Sequence, residues 1–426
     1  MTYARFRVHA LALAPLLVAQ SAAAQAPPSR MELERRIDAY LAPLATSGDL
    51  SGTVLVARGD SVMYERAFGK LRFGEAAPNT PETPFAVASL TKPLTVIIAA
   101  ALVDQGRLAL GDPLSKWIPD FPHGDRITVE HLLRHRSGIP HRVTAEPDEM
   151  VPHTAEDMVR FAAGRALAFE PGTSSLYSSA AYSVLARTLE IAGGKPYADL
   201  LEEIVLRPAG AAHTANADRP QAGRPSGHLR YPGRVKSTSR NLSFLVGAGS
   251  VYSTPRDIFE IMRRLTSGDY GATARTALVR ESGLRWNGIT DGFRAFADWD
   301  PATDVTVVFA GNLFTGAADL VRRDLPRVAR GEQLDPPVVP TVSFRPIGAA
   351  ARARLAGVRF DVNPSQPLRF DSDSVALLGD WLLFVTSDST FFSPQDYATV
   401  RVVVGASGEV EALQWGEGPR FARVKE

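Results

Sequence analysis

Cysteine is absent from all 426 residues. That excludes disulfides, thiol nucleophiles, a lipid carried on a thiol, and every zinc site built on thiolates. Lysine is scarce, with six against 41 arginines, a compositional bias rather than the mark of an anion site. Neither sign of charge is in excess: the formal net charge is +1. Such a chain has no electrostatic case for binding DNA, RNA or anionic lipid. Long apolar runs are missing as well. The run Ala10–Ala19 falls short of the roughly 20 residues a membrane helix needs, and no other stretch comes closer.

That run has a different explanation. Arg5, Arg7 and His9 precede it and small residues follow, the layout of a secretory signal peptide with cleavage expected after Ala24. The mature chain is therefore expected to be exported, periplasmic or extracellular, with no integral membrane segment. Without disulfides it must rely on its core, and with 45% apolar residues it can build one large domain and a small one.

Residues 31–46 carry Leu33, Ile37, Leu41 and Leu44 at helical spacing. Two strand-like runs, 52–58 and 62–68, flank Gly59-Asp60 and predict a hairpin. A buried helix is predicted over 89–105, then helical segments to about 207, clearest at 178–192 and 196–206. The Gly/Pro/Arg-rich stretch 208–245 reads as an irregular surface loop. Thr254-Pro255-Arg256-Asp257 opens a further helix, with a capping Thr, Pro at the first position and an acid near the positive end. A second hairpin is predicted from 293–299 and 304–310, and a last helix over about 316–330. Strands, many helices, then strands again predict an α+β fold. Beyond a Pro-rich segment the chain holds only short strand-like runs, a small β domain with no evident chemistry.

The chemistry centres on Ser89-Leu90-Thr91-Lys92. Residues i and i+3 of a helix share a face, so hydroxyl and amine can meet. A Ser at a helix start also lies near free N–H groups that favour an oxyanion. Pro93 is compatible, because first-turn N–H groups have no intrahelical partner to lose. A Lys in a dry pocket loses proton affinity and becomes a base. With 29 Ser and six Lys, chance supplies roughly 0.4 such pairs, so the tetrapeptide alone is a weak signal.

Its surroundings are more specific. TPFAVASLTKPLTVIIAAALVDQGRLALGDPLSKWIPDFP, then ITVEHLLRHRSGIP, FEPGTSSLYSSAAYSVLARTLE and GAGSVYSTPRDI, resemble the serine β-lactamase and penicillin-binding-protein family. The likeness is nearest to its class C-like and esterase branches and covers about residues 50–330. It implies an antiparallel sheet with flanking helices and a helical subdomain. The expected organisation is a signal peptide at 1–24, a serine hydrolase domain at 25–334, a Pro-rich linker at 335–349 and an all-β domain at 350–426.

The resemblance implies Ser89 as acylated nucleophile, Lys92 as general base and Tyr177 as proton shuttle to the leaving group. It places the oxyanion hole at the backbone N–H groups of Ser89 and Ile289, and substrate contacts at Ser179, Trp286, Asn287 and Gly288. No cofactor and no metal are implied.

Two positions depart from the pattern. Ser179 stands where the family usually has Asn, and Trp286 where it has Lys or His before the third-motif Gly. An apolar ring in place of a cation disfavours a carboxylate there and favours neutral esters. The stretch 268–285 is also shorter than the family usually has before this motif.

The expected function is an exported serine hydrolase acting on small acyl esters or peptides through an acyl-enzyme at Ser89. One alternative is a degenerate homologue that binds peptidoglycan or peptides without turnover; another is a β-lactamase or D-Ala-D-Ala carboxypeptidase. An α/β-hydrolase triad is excluded, because no G-x-S-x-G occurs and the last His, His228, is far from the C-terminus. His131 and His135 have an i, i+4 metal spacing, but no Glu follows His131 and the segment reads as structural.

Overall fold

The computed structural model describes residues 28–424 apart from 146, 233, 239, 363–365 and 380. The expected signal peptide lies outside the described residues. Both predicted hairpins form: Gly52–Arg58 with Ser61–Phe68, and Phe293–Asp300 with Val305–Gly311. With Leu284–Thr290 they make a five-stranded antiparallel sheet, in the order 61–68, 52–58, 305–311, 293–300, 284–290. The strand 52–58 is buried on both faces because helices cover both sides.

On one side the helices Arg30–Thr46 and Ala317–Ala329 cover Val54, Val56, Phe296, Val307 and Phe309. Leu33, Ile37, Leu41 and Leu44 are fully buried there, as their spacing predicts. On the other side Leu55, Ala57, Ala295, Ala297 and Val308 join the core of the helical region. Its central helix, Thr91–Asp104, has nine of fourteen residues buried and so runs through the interior. The helix Ser179–Gly193 is capped where Ala181 N donates to Ser178 Oγ (3.0 Å), and it stops at Gly194, whose φ is +65°. The helix Pro255–Ser267 starts as expected, with Thr254 Oγ1 accepting from Asp257 N.

The stretch 208–245 is a correction. It carries a short hairpin, His228–Tyr231 with Arg234–Ser237, rather than an irregular loop. Its anchor is His228, fully buried: Phe73 N donates to Nε2 (3.2 Å), so Nδ1–H donates to Asn312 O (3.0 Å). Burial pushes this imidazole below its usual range, consistent with a neutral ring. The short stretch before the third motif holds the helix Ala272–Leu278.

The C-terminal part opens on the helix Ala349–Leu355, which its sequence did not suggest. Seven antiparallel strands follow in sequential order, from Arg369–Ser372 to Arg420–Ala422. Leu355, Phe360, Leu368, Phe391 and Leu413 form their own core. This sheet does not stand apart. Val375, Leu382, Phe384 and Phe392 share a buried cluster with Tyr231 of the hairpin, and Tyr397 Oη donates to Asp49 Oδ2 (2.8 Å).

Candidate active site

Ser89 sits in a 3₁₀ turn, Ala88–Leu90, just before the central helix. Ala88 has φ +49°, a conformation that costs an L-residue energy and is kept where surroundings over-determine it. Those surroundings are visible: Val87 N donates to Val251 O (3.0 Å), and the strand Leu284–Thr290 packs on the turn through Gly288. A Cβ at Gly288 would lie 2.2 Å from Val87 O, so only glycine permits this approach.

Three side chains converge on the hydroxyl. Tyr177 Oη is 2.7 Å from Ser89 Oγ, and Lys92 Nζ donates to the same oxygen from 3.2 Å. Lys92 also donates to Ala248 O (2.9 Å) and Ser179 Oγ (3.3 Å). No carboxylate is among these partners, and burial lowers the Lys92 amine to about 7. Burial moves Tyr177 the other way, above the usual phenol range, against hydrogen bonds to Ser89 and Ser179. The amine therefore loses its proton first, and the phenol keeps its own.

Two histidines brace this group. His135 Nδ1 accepts from Ser178 N and His141 Nδ1 from Ser179 N, both at 3.2 Å. Their rings lie 4.7 and 5.4 Å from the Tyr177 ring. Burial first, then the nearby Lys92 and His141 charges, lower His135 to about 4, so it is neutral at pH 7. His131 instead joins the cap of Val129–Leu133, its Nδ1 accepting from Thr128 N. Among the described residues no group of three His, Asp or Glu is arranged to hold a metal.

Ser89, Tyr177, Ser179 and Ile289 line a cavity of about 600 Å³. Trp286 is elsewhere: it is 7% exposed and lines a second pocket of about 320 Å³ with Lys92, His135 and Tyr182. Asn287 points to the far face of the sheet, where Oδ1 accepts from Arg294 (2.5 Å) and Arg322 (2.9 Å). Strand alternation explains it: with Gly288 against the Ser89 turn, its neighbour faces away.

Residues 33–330 match the beta-lactamase family. The chain belongs to that family. It is 31% identical over 242 residues to the D-alanyl-D-alanine-carboxypeptidase/endopeptidase AmpH of Escherichia coli K12, covering 55% of this chain and 62% of AmpH. Esterase EstB of Burkholderia gladioli is 30% identical over 197 residues, 42% of this chain and half of EstB. The chain thus spans less than two thirds of either relative. The crystal structure of SurE shares the fold, with a TM-score of 0.61 at 22% identity, over 92% of this chain and 99% of SurE.

Sequence reasoning about this family member missed several residues at the cavity. His141 follows the SGIP motif directly, and that adjacency was the available signal. Lys236 and Arg240 lie in the stretch read as a loop, and Arg369 and Phe370 in the sheet read as without chemistry. Among the described residues no helix is long and apolar enough to cross a membrane.

Proposed function

We propose that this protein is an exported serine hydrolase that cleaves acyl esters through a covalent intermediate on Ser89. The observation that carries the reading is the pair of hydrogen bonds on Ser89 Oγ, one to a Lys92 amine poised near neutrality and one to the Tyr177 hydroxyl.

Unprotonated Lys92 takes the proton of Ser89 as Oγ attacks the ester carbonyl. The oxyanion is met by the backbone N–H groups of Ser89 and Ile289. Tyr177, still a phenol, passes its proton to the departing alcohol and regains one from the Lys92 ammonium across Ser179, which both groups hydrogen-bond, so Lys92 is again a neutral amine. Water entering the vacated space then attacks the acyl-Ser89 ester, Lys92 accepting its proton and returning it to Ser89 Oγ as the carboxylic acid leaves. Ser179 holds the Lys92 amine, the part that this chain retains of the usual Asn role.

Esters are favoured over β-lactams and peptides. Alcohols leave more readily than amines, so an ester asks less of the groups that assist the leaving atom; Trp286, buried away from the Ser89 cavity, carries none of this preference. The likeness to EstB agrees with this preference, and the intact Ser–Lys–Tyr contacts weigh against a non-catalytic binder.

The test is labelling by a fluorescent phosphonate, with turnover of a nitrophenyl ester and a chromogenic cephalosporin, in wild type and Ser89→Ala. Labelling and ester turnover that vanish in Ser89→Ala support the reading. Equal labelling of both proteins refutes it, and a wild type that prefers the cephalosporin refutes the ester preference. Export is tested by finding the chain outside the cytoplasm with Gln25 as its first residue.

A further inference from the structure

The large cavity beside Ser89 has two walls made by distant parts of the chain. One carries Ser89, Tyr177 and Ile289. The other is built by Lys236 from the hairpin and by Arg369 and Phe370 from the first strand of the C-terminal sheet.

The charges on this lining are unevenly matched. Arg240 Nε lies 3.3 Å from Glu149 and 3.8 Å from Asp291, and Arg142 also has a partner. Lys236 and Arg369 differ: among the described residues neither has a carboxylate within ion-pair distance. The Lys236 amine reaches only the Tyr231 ring, at 5.7 Å from its centroid. Asp371, two residues along the strand, lines the same cavity but closes no ion pair with Arg369.

Most arginines of this chain do find acids, in more than twenty salt bridges spread over its surface. Two cations without an ion-pair partner on the lining of one cavity therefore stand out. With four cations, Arg142, Lys236, Arg240 and Arg369, against two acids, Asp291 and Asp371, on its lining, the cavity carries an excess of positive charge that raises the local concentration of anions.

We propose that Lys236 and Arg369 are specificity-determining residues that hold a carboxylate on the part of the acyl substrate filling this cavity. The guanidinium offers a two-pronged donor and the amine a point charge. Phe370 and Leu377 line the same cavity and give an aliphatic chain an apolar path. The substrate class is then an ester with a carboxylate remote from the scissile bond. It differs from a β-lactam, whose carboxylate adjoins the bond that breaks. This rests on acyl transfer at Ser89.

The experiment compares kcat/KM for two matched pairs of esters. In the first the carboxylate is on the acyl chain: 4-nitrophenyl hexanoate against mono-4-nitrophenyl adipate. In the second it is on the leaving group: phenyl butyrate against 3-carboxyphenyl butyrate. The proteins are wild type, Lys236→Ala, Lys236→Glu, Arg369→Ala and Arg369→Lys. In one pair the anionic-to-neutral ratio is expected to fall about tenfold in each alanine variant. It should fall further in Lys236→Glu, return towards wild type in Arg369→Lys, and shrink with added salt.

Ratios that stay put in both pairs and every variant, in an enzyme that turns the esters over, sink this proposal and leave the Ser89 reading standing. No turnover of any ester, together with no phosphonate labelling, takes both down.

Discussion

The Lys92 amine nitrogen lies 4.8 Å from the centroid of the Tyr177 ring, and both side chains hydrogen-bond the Ser89 hydroxyl between them. An unprotonated amine keeps such a contact at little electrostatic cost, while an ammonium gains from the ring but loses its water. Protonation of this one nitrogen therefore sets the state of the whole group.

Because the three groups share one oxygen, their losses should not add. Ser89→Ala and Lys92→Ala are each expected to lower kcat by about 10⁴-fold or more, and the double variant little further. Tyr177→Phe keeps the ring and removes the relay, and should cost about 10²-fold or more. Steady-state kinetics on a nitrophenyl ester decide; strictly multiplicative losses would refute the shared role.

The pH profile follows from Lys92. The rate kcat/KM should rise with pH to half its plateau near pH 7. Stability carries the same signature. The folded Lys92 loses its proton near 7 and the unfolded one near its ordinary value, so between these the unfolded chain binds more protons and stability rises with pH. Lys92→Met removes that burden, and its Tm advantage over wild type should be greatest at and below pH 7 and shrink towards pH 10. An advantage that grows with pH would contradict the sign.

Gly288→Ala tests the third motif. Its Cβ would meet backbone at 2.2 Å, so the strand must retreat from the Ser89 turn. A displacement of that order is expected to lower kcat/KM by about 100-fold. A fully active, folded Gly288→Ala would show that the strand does not abut the nucleophile in solution.

His135 is a positioning residue: it accepts from Ser178 N and packs on Tyr177. His135→Phe retains a ring but loses the acceptor, and should lower kcat about tenfold with KM nearly unchanged. Because His135 is held near 4, the rise of the wild-type profile near pH 7 should survive in this variant. A change confined to KM would place His135 against substrate instead.

Ending the chain near Arg345 removes Arg369 and uncovers Tyr231, which packs with Phe384 and Phe392. From sequence the β domain showed no evident chemistry. The shared cluster implies that its loss gives a lower Tm, and a raised KM for esters that reach Arg369 and Phe370. Calorimetry and kinetics of the truncated chain would check both, and unchanged values would show that the β domain neither supports the hairpin nor completes the cavity.

What was legible in the sequence was local. The spacing of Ser89 and Lys92, the two hairpins and the capped helix at Thr254 follow from short-range rules, and each appears within a residue or two. Asn287 was legible in principle, since two-residue alternation places it opposite Gly288, but motif thinking grouped them. His228 and the hairpin it anchors were not legible, because the ring's partners, Phe73 and Asn312, are remote in sequence. The far wall of the cavity was hidden for the same reason: docking of one folded unit on another leaves no periodicity to read.

That docking separates two tasks in heredity as well as in space. In the proposed mechanism proton transfer belongs to Ser89, Lys92 and Tyr177, beside the helical core, while Arg369, Phe370 and Leu377 of the cavity lining belong to a sheet with its own core. On that proposal, substitutions at Arg369 or Phe370 alter which molecules gain entry without disturbing the bond-breaking machinery. Lineages carrying this architecture can therefore change diet while keeping their chemistry.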